Sequence, residues 1–415
     1  MLLMKLEKKW SYIWNSASGM INAGQSAIIV IFITRFLGIA EAGIFTIAYA
    51  LANLISVFAK CGIRYYQVTD IEEEFSLKTY FSIRVGSILI SIFLLAGYLL
   101  SKVDGQEYTL EKSIVIGGIC IWKLVDAMED VFIGAYQQQD RLSVGAFYYT
   151  VRLLVTTCIY CGFIVNGHNL IYATVVTVLV SVVMCTVFSV TSFSKFTIRK
   201  SSFERKSVRK LIKTCFPLCI SSTLANYIGN APKYSIDTYM DDSTQAYFGY
   251  IMMPAFIILL LSNFIYQPLI RNLGVLWGQE LKGCFVRTVF RQFLIVIGIT
   301  IAAMIVGSWI GIPVLSYIYS VNLLHLEKEF LLLLVGGGIY ALVSYLTVVL
   351  TTIRMQKWLA IAFVVAAMLY SVFGCVFGKE LSIWGVALLY LIINIVLVIW
   401  FIFCLLFKVN QKLDK

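Results

Sequence analysis

CFPLCISSTLANYIGNAPKYSIDTYMDDSTQAYFGYIMMP, residues 215–254, opens as an apolar helix of membrane type. It then places Asn226, Gly229, Asn230, Pro232, Lys233 and Asp237 within a few turns. Proline removes a backbone donor and crowds the carbonyl four residues back. Inside a bilayer, a freed backbone group persists only where protein or water satisfies it. The stretch therefore predicts a helix broken at Gly229, Asn230 and Pro232 that walls a polar cavity instead of facing lipid. The plainer alternative is an ordinary proline kink, with Lys233 and Asp237 pairing at the membrane edge.

Composition fixes the class around this stretch. Of 415 residues, 60% are hydrophobic and 13% charged, with a mean hydropathy of +0.87. A soluble domain carries about 25% charged residues. The chain reads as an all-α polytopic membrane protein. Met1–Lys9 is short and basic and leads into a full-length apolar segment, so no cleavable signal is expected. The net charge of +11 sits mostly in short loops between spans. That placement fits membrane topology and anionic lipid headgroups, not nucleic acid. Nearly all ten cysteines lie in apolar segments. Cys158 and Cys161 form a CxxC inside a span, where a thiol behaves as a small hydrophobe. His168 and His325 fall in separate loops, so no metal site is read. No GxxxxGK[ST] phosphate loop and no catalytic constellation are present, which argues against an enzyme and against a built-in ATP motor.

A bilayer core takes about 20 apolar residues per helix. That criterion gives about twelve spans: 14–36, 41–62, 79–101, 113–136, 143–166, 169–193, 214–238, 245–269, 286–310, 328–352, 357–377 and 382–407. The first and seventh are the least uniformly apolar and hold corresponding places in two six-span halves. The expected organisation is an N-terminal six-helix lobe, 1–193, a basic cytoplasmic linker, 194–213, and a C-terminal six-helix lobe, 214–415, around a central cavity. Lys and Arg concentrate on the side holding both termini and the linker. Only Lys102, Lys112, Lys328 and Lys379 fall opposite, so both termini are expected in the cytoplasm.

Ionisable residues inside the spans are the functional signal. On the insertion scale each costs about 2.5–3.5 kcal/mol at a helix centre. Arg35, Lys60 and Arg291 lie near span ends and can snorkel, whereas Arg84, Lys123 and Arg152 lie deeper. The fourth span, WKLVDAMEDVFIGAYQQQDR at 122–141, sets Lys123, Asp126, Glu129 and Asp130 together. Asp126 and Asp130 share a helix face, with Lys123 three residues before Asp126. Three carboxylates against one lysine leave surplus negative charge to be met by arginines of other spans or by a coupling cation. Arg152, on the next helix, is the expected partner of Asp130. The remaining basic set suggests an anionic substrate, since guanidinium grips phosphate through paired hydrogen bonds.

Residues 34–70, TRFLGIAEAGIFTIAYALANLISVFAKCGIRYYQVTD, resemble the opening of Wzx-like polysaccharide flippases of the multidrug/oligosaccharidyl-lipid/polysaccharide exporter superfamily. The matching positions are Arg35, Leu37 and Gly38, then Ala42, Gly43 and Phe45, then Gly62, Arg64, Tyr66, Gln67, Val68 and Asp70. NYIGNAPKYSID at 226–237 and the segment 246–270 are similar to the same family. The resemblance implies a bacterial inner-membrane carrier with two MATE-like six-helix lobes. Its implied work is to move an undecaprenyl-pyrophosphate-linked oligosaccharide outward by alternating access, alongside a polysaccharide polymerase and glycosyltransferases.

On this reading Arg35, Lys60, Arg84, Lys123, Arg152 and Lys233 are the pyrophosphate and sugar contacts. Asp126, Glu129, Asp130 and Asp237 balance charge or bind a coupling cation, H+ or Na+. No other cofactor is expected. The alternative is a cation-coupled multidrug antiporter of the same architecture, against which the arginine-rich first half argues.

Overall fold

The computed structural model describes residues 2–70, 75–196, 205–266 and 269–411. Among these, every regular element is helical: α1 (Leu2–Phe36), α2 (Ile39–Lys60), α3 (Ile63–Thr69), α4 (Leu77–Asp104), α5 (Leu110–Gln138), α6 (Leu142–Val165), α7 (Leu170–Phe196), α8 (Arg205–Tyr239), α9 (Asp242–Tyr266), α10 (Ile270–Gly278), α11 (Lys282–Val306), α12 (Ile312–Tyr319), α13 (Glu327–Thr352) and α14 (Gln356–Gln411). A π-helical segment, Gly307–Gly311, makes α11 and α12 one continuous span of 38 residues.

The described residues contain nine segments long and apolar enough to cross a membrane. Two more helices, α5 and α8, have the length but not the composition: α5 carries too many charges, and the Asn, Ser, Gly and Pro residues of α8 lower its hydropathy. The longest segment, within α14, leaves helical geometry at Ser382 (φ 52°, ψ −142°) and is two spans. The total is twelve, each overlapping a span expected from sequence.

Starts and stops follow local chemistry. Ser76 caps α4 by accepting from the Thr79 amide at 3.3 Å, and Thr109 caps α5 through the Lys112 amide at 3.2 Å. The chain leaves α2 through two left-handed residues, Cys61 and Gly62 (φ 51° and 64°).

The chain forms two compact units, Met1–Asn226 and Tyr227–Lys415. Their boundary falls inside α8, later than the 194–213 linker placed from sequence. Residues 197–204 of that linker lie outside the described residues. In the first unit α5 is the hub, packing on α2, α3, α4, α6 and α7. In the second, α13 holds the corresponding fourth-span place, packing on α9, α10, α11 and α14. The short α3 and α10 each sit between the second and third spans of their half, and each packs on that half's fourth span. The repeat that span count alone suggested is thus present in the packing. The two hubs differ in chemistry. The centre of α5 buries charge, whereas α13 is apolar and glycine-rich there: a Cβ at Gly337 would lie 2.8 Å from the Ala255 Cα of α9.

One expectation is corrected. α8 does not break at Gly229, Asn230 and Pro232, because it is helical from Arg205 to Tyr239. Gly229 serves helix packing instead. A Cβ there would stand about 2.5 Å from the Tyr340 hydroxyl, so any larger residue would force this tyrosine of α13 to shift.

Candidate functional site

The charges of α5 face inward and build one network through the first unit. Arg152 on α6 donates from Nε to both Glu129 oxygens, each at 2.9 Å, and from a terminal nitrogen to Ser181 on α7 at 3.0 Å. Its other terminal nitrogen meets Asp126 Oδ1. The Tyr149 ring lies 5.4 Å from the guanidinium carbon. Lys123 donates to Asp126 Oδ2 at 3.0 Å, to Asn22 Oδ1 at 2.9 Å and to Gln25 Oε1 at 3.3 Å, the last two on α1.

Arg84 on α4 donates to Asp130 Oδ2 at 2.9 Å and to the Ala59 carbonyl at 2.6 Å. That carbonyl is left without a helical partner where α2 ends, and Ser87 also donates to it at 2.7 Å. Arg64 on α3 donates to Asp130 Oδ1 at 3.3 Å and to Gln137 at 2.8 Å. All seven helices α1–α7 therefore contribute to one ionic and polar core. Arg84, Arg152, Lys123, Asp126 and Glu129 are each less than 5% exposed.

This arrangement bears on three sequence readings. The partner of Asp130 is not Arg152 but Arg84 together with Arg64; Arg152 belongs to Glu129 and Asp126. The surplus negative charge of α5 is met by cations of other helices: Lys60, Arg64, Arg84 and Arg152 join Lys123 against Asp126, Glu129 and Asp130. Arg84, Lys123 and Arg152, read as substrate contacts, are committed to counter-ions inside the unit and offer no free face to a ligand.

The other predicted cations differ. Arg35 is exposed in the last turn of α1. Lys60, the last residue of α2, is half-buried and within Coulombic reach of Asp130 and Asp126, yet has no hydrogen bond or ion pair among the described residues. In the second unit, Lys233 is half-buried on α8. Its ammonium lies 5.0 Å from the centre of the Phe256 ring, and no carboxylate of the described residues pairs with it, Asp237 four residues on included. Asp237 is likewise half-buried. Tyr227 and Tyr234 stack on the same helix with centroids 5.4 Å apart, both half-buried. Trp122 is instead fully buried against Tyr160, a packing role.

The residues that sequence reasoning missed are those holding α3 down. Gln67 donates to the Val131 carbonyl at 3.1 Å. Asp70 accepts from the Tyr80 hydroxyl at 2.9 Å and the Phe75 amide at 3.1 Å. Gly62 lets α8 come close, since a Cβ there would lie 2.7 Å from the Leu218 side chain. Gly62, Arg64, Gln67 and Asp70, all in the 62–70 motif, each have a docking task. Among the described residues no group of three or more His, Cys, Asp or Glu could hold a metal ion.

A family model described as "Polysaccharide biosynthesis protein" matches residues 9–272. No curated protein sequence matches the chain. Among solved structures, the lipid II flippase MurJ in an inward closed conformation is similar with a TM-score of 0.67 at 16% identity, over 99% of this chain and 90% of that one. An inward-facing multidrug resistance MATE family transporter of the MOP superfamily gives 0.63 at 13% identity, over 96% and 98%. The eukaryotic MATE transporter AtDTX14 gives 0.64 at 11%, over 98% of each chain. Identities this low speak for the fold alone.

Proposed function

The chain belongs to the polysaccharide biosynthesis protein family, and from that premise we propose that it is a flippase for a lipid-linked oligosaccharide. The cargo is an undecaprenyl-pyrophosphate-linked repeat unit, carried from the inner to the outer leaflet of a bacterial cytoplasmic membrane by alternating access. Both termini lie in the cytoplasm. A polymerase and glycosyltransferases act after and before this step.

The observation that carries the reading is Lys233. A cation inside a span is costly unless something pairs with it. In the first unit Arg84, Lys123 and Arg152 have carboxylate partners, while Lys233 in the second has an aromatic face and, among the described residues, no anion. A transported pyrophosphate is an anion of the right class to complete it. Lys60 at the end of α2, likewise without an ion pair among the described residues, is the next candidate for that role. A membrane potential of 100 mV is worth about 2.3 kcal/mol per elementary charge. Outward movement of an anionic headgroup from a negative interior is therefore downhill, and the cycle needs no obligatory H+ or Na+ gradient.

The test is export of surface glycan in cells carrying Lys233→Gln or Lys233→Arg, with mass analysis of the lipid-linked pool. The glutamine variant is expected to reach the membrane, lose export and accumulate the lipid-linked oligosaccharide in the inner leaflet; arginine keeps the charge and retains export. Normal export with glutamine removes Lys233 from the mechanism. An unchanged lipid-linked pool on depletion of the protein, with new sensitivity to cationic drugs, favours the multidrug antiporter.

A further inference from the structure

The Lys123 ammonium sits in a cage built for it. Three oxygens converge on Nζ, from Asn22 at 2.9 Å, Asp126 at 3.0 Å and Gln25 at 3.3 Å, and the Tyr49 ring centre lies 4.9 Å away. A primary ammonium has three N–H donors, so each donor has one oxygen. The cage is held from behind. Gln25 donates from Nε2 to the Thr157 hydroxyl at 2.8 Å, which turns its carbonyl oxygen toward the lysine. Tyr49 donates to that same oxygen at 3.4 Å, and Arg152 holds the other oxygen of Asp126. Gln25, Lys123 and Asp126 are each less than 5% exposed, and only Asn22 among the cage residues is half-buried.

We propose that this cage is a primary-ammonium site which the chain fills with its own lysine, in the place a mobile coupling cation would need if Asp126 were to bind one. Two consequences follow from the chemistry. The first unit takes up no Na+ at Asp126, because the carboxylate is already fully served by Lys123 and Arg152. Removing the lysine side chain opens a site for a small alkylammonium ion, whose three N–H groups suit the three oxygens and whose alkyl chain fills the vacated stem.

The experiment uses purified full-length protein and thermal unfolding, a readout that requires no transport substrate and is independent of the flippase reading. Lys123→Ala is titrated with n-propylammonium chloride against choline chloride at equal ionic strength, choline having no N–H donor. The expected result is a saturable rise in melting temperature of roughly 2–4 °C with propylammonium and none with choline. Lys123→Met, which refills the stem, and the native chain should both fail to respond. An equal response of Lys123→Ala to both salts, or a propylammonium response of Lys123→Met as large as that of Lys123→Ala, overturns the proposal. The native chain supplies a test that does not depend on how well the alanine variant folds. Its melting temperature should be the same in sodium chloride and choline chloride, and a saturable stabilisation specific to sodium refutes the tethered-cation reading.

Discussion

Replacing Arg152 with methionine should destabilise the first unit severely, and the contacts set the scale. The substitution deletes the hydrogen bonds to Glu129, Asp126 and Ser181. Asp126 keeps Lys123, but Glu129 has no other hydrogen-bond donor among the described residues and is 1% exposed. Breaking a buried pair by removing one partner costs about 3–5 kcal/mol, because an uncompensated charge stays behind. That is roughly a hundredfold to several-thousandfold in the folded ratio. Glu129→Gln should cost less, since Arg152 retains Asp126 and Ser181; loss of hydrogen bonds between charged groups is worth about 1.5–3 kcal/mol.

The Arg152→Met/Glu129→Gln double variant removes both charges. It should cost less than the sum of the singles by about 2 kcal/mol or more. The assay is thermal unfolding of detergent-purified protein, with membrane abundance measured beside it. Strict additivity would refute the pairing. So would an Arg152→Met protein that melts like the native chain while losing glycan export, for then the arginine serves the cargo and not the fold.

Gly229→Ala should destabilise by about 1–3 kcal/mol, because its Cβ meets the Tyr340 hydroxyl; Tyr340→Phe in the same chain should relieve part of that loss in a melting assay. Pro232→Ala should leave export close to native, since the helix is continuous there, and a loss of export would return the helix-break reading. Asp70→Ala should cost about 1–3 kcal/mol by orphaning the Tyr80 hydroxyl and the Phe75 amide, with faster hydrogen exchange confined to α3 and the start of α4. Asp241, exposed just before α9, accepts from the Thr244 hydroxyl and amide, which hold its carboxyl below the usual carboxylate range. A depressed carboxyl stabilises above its unfolded pKa and loses that contribution as pH falls through its folded pKa. Asp241→Ala should therefore flatten the pH dependence of melting below about pH 4 and leave it unchanged near neutrality.

The spans were legible because bilayer thickness imposes a minimum length on every spanning helix, and apolar runs of that length stand out even where charge interrupts them. Helices α3 and α10 were not: at seven and nine residues they are too short for a periodic signal, and their roles come from tertiary docking. The 62–70 motif was seen, but its physical content was not. Arg64 reads from sequence as one more cytoplasmic charge, and only folding brings it to Asp130, 66 positions away. The crowding of ionisable residues on α5 is plain in the sequence. Its three carboxylates against one lysine called for cations from elsewhere, but local sequence does not say which, and they come from α2, α3, α4 and α6. At Gly229 the error was of another kind. Glycine beside proline suggests a break, yet this glycine answers a tyrosine more than a hundred residues away, which local sequence does not record.

The network also changes how loss of function at its members has to be read. Buried ion pairs are weak sources of net stability, since desolvation offsets most of the attraction; their strong effect is the penalty when one member is missing. A network touching all of α1–α7 therefore does less to strengthen the unit than to specify which helix meets which. The second unit reaches the same hub-and-ring packing around an apolar α13, so the fold does not require ions at its centre. Charge removed in matched sets should then be tolerated better than charge removed singly. Loss of glycan export in Arg84→Ala or Arg152→Ala is accordingly expected from misfolding alone. It becomes evidence for substrate contact only if the carboxylate partner, Asp130 or Glu129, is neutralised in the same chain, folding is restored, and export stays lost. Lys233 needs no such compensation, because among the described residues it has no carboxylate to orphan, and this makes it the position where loss of export reports most directly on the cargo.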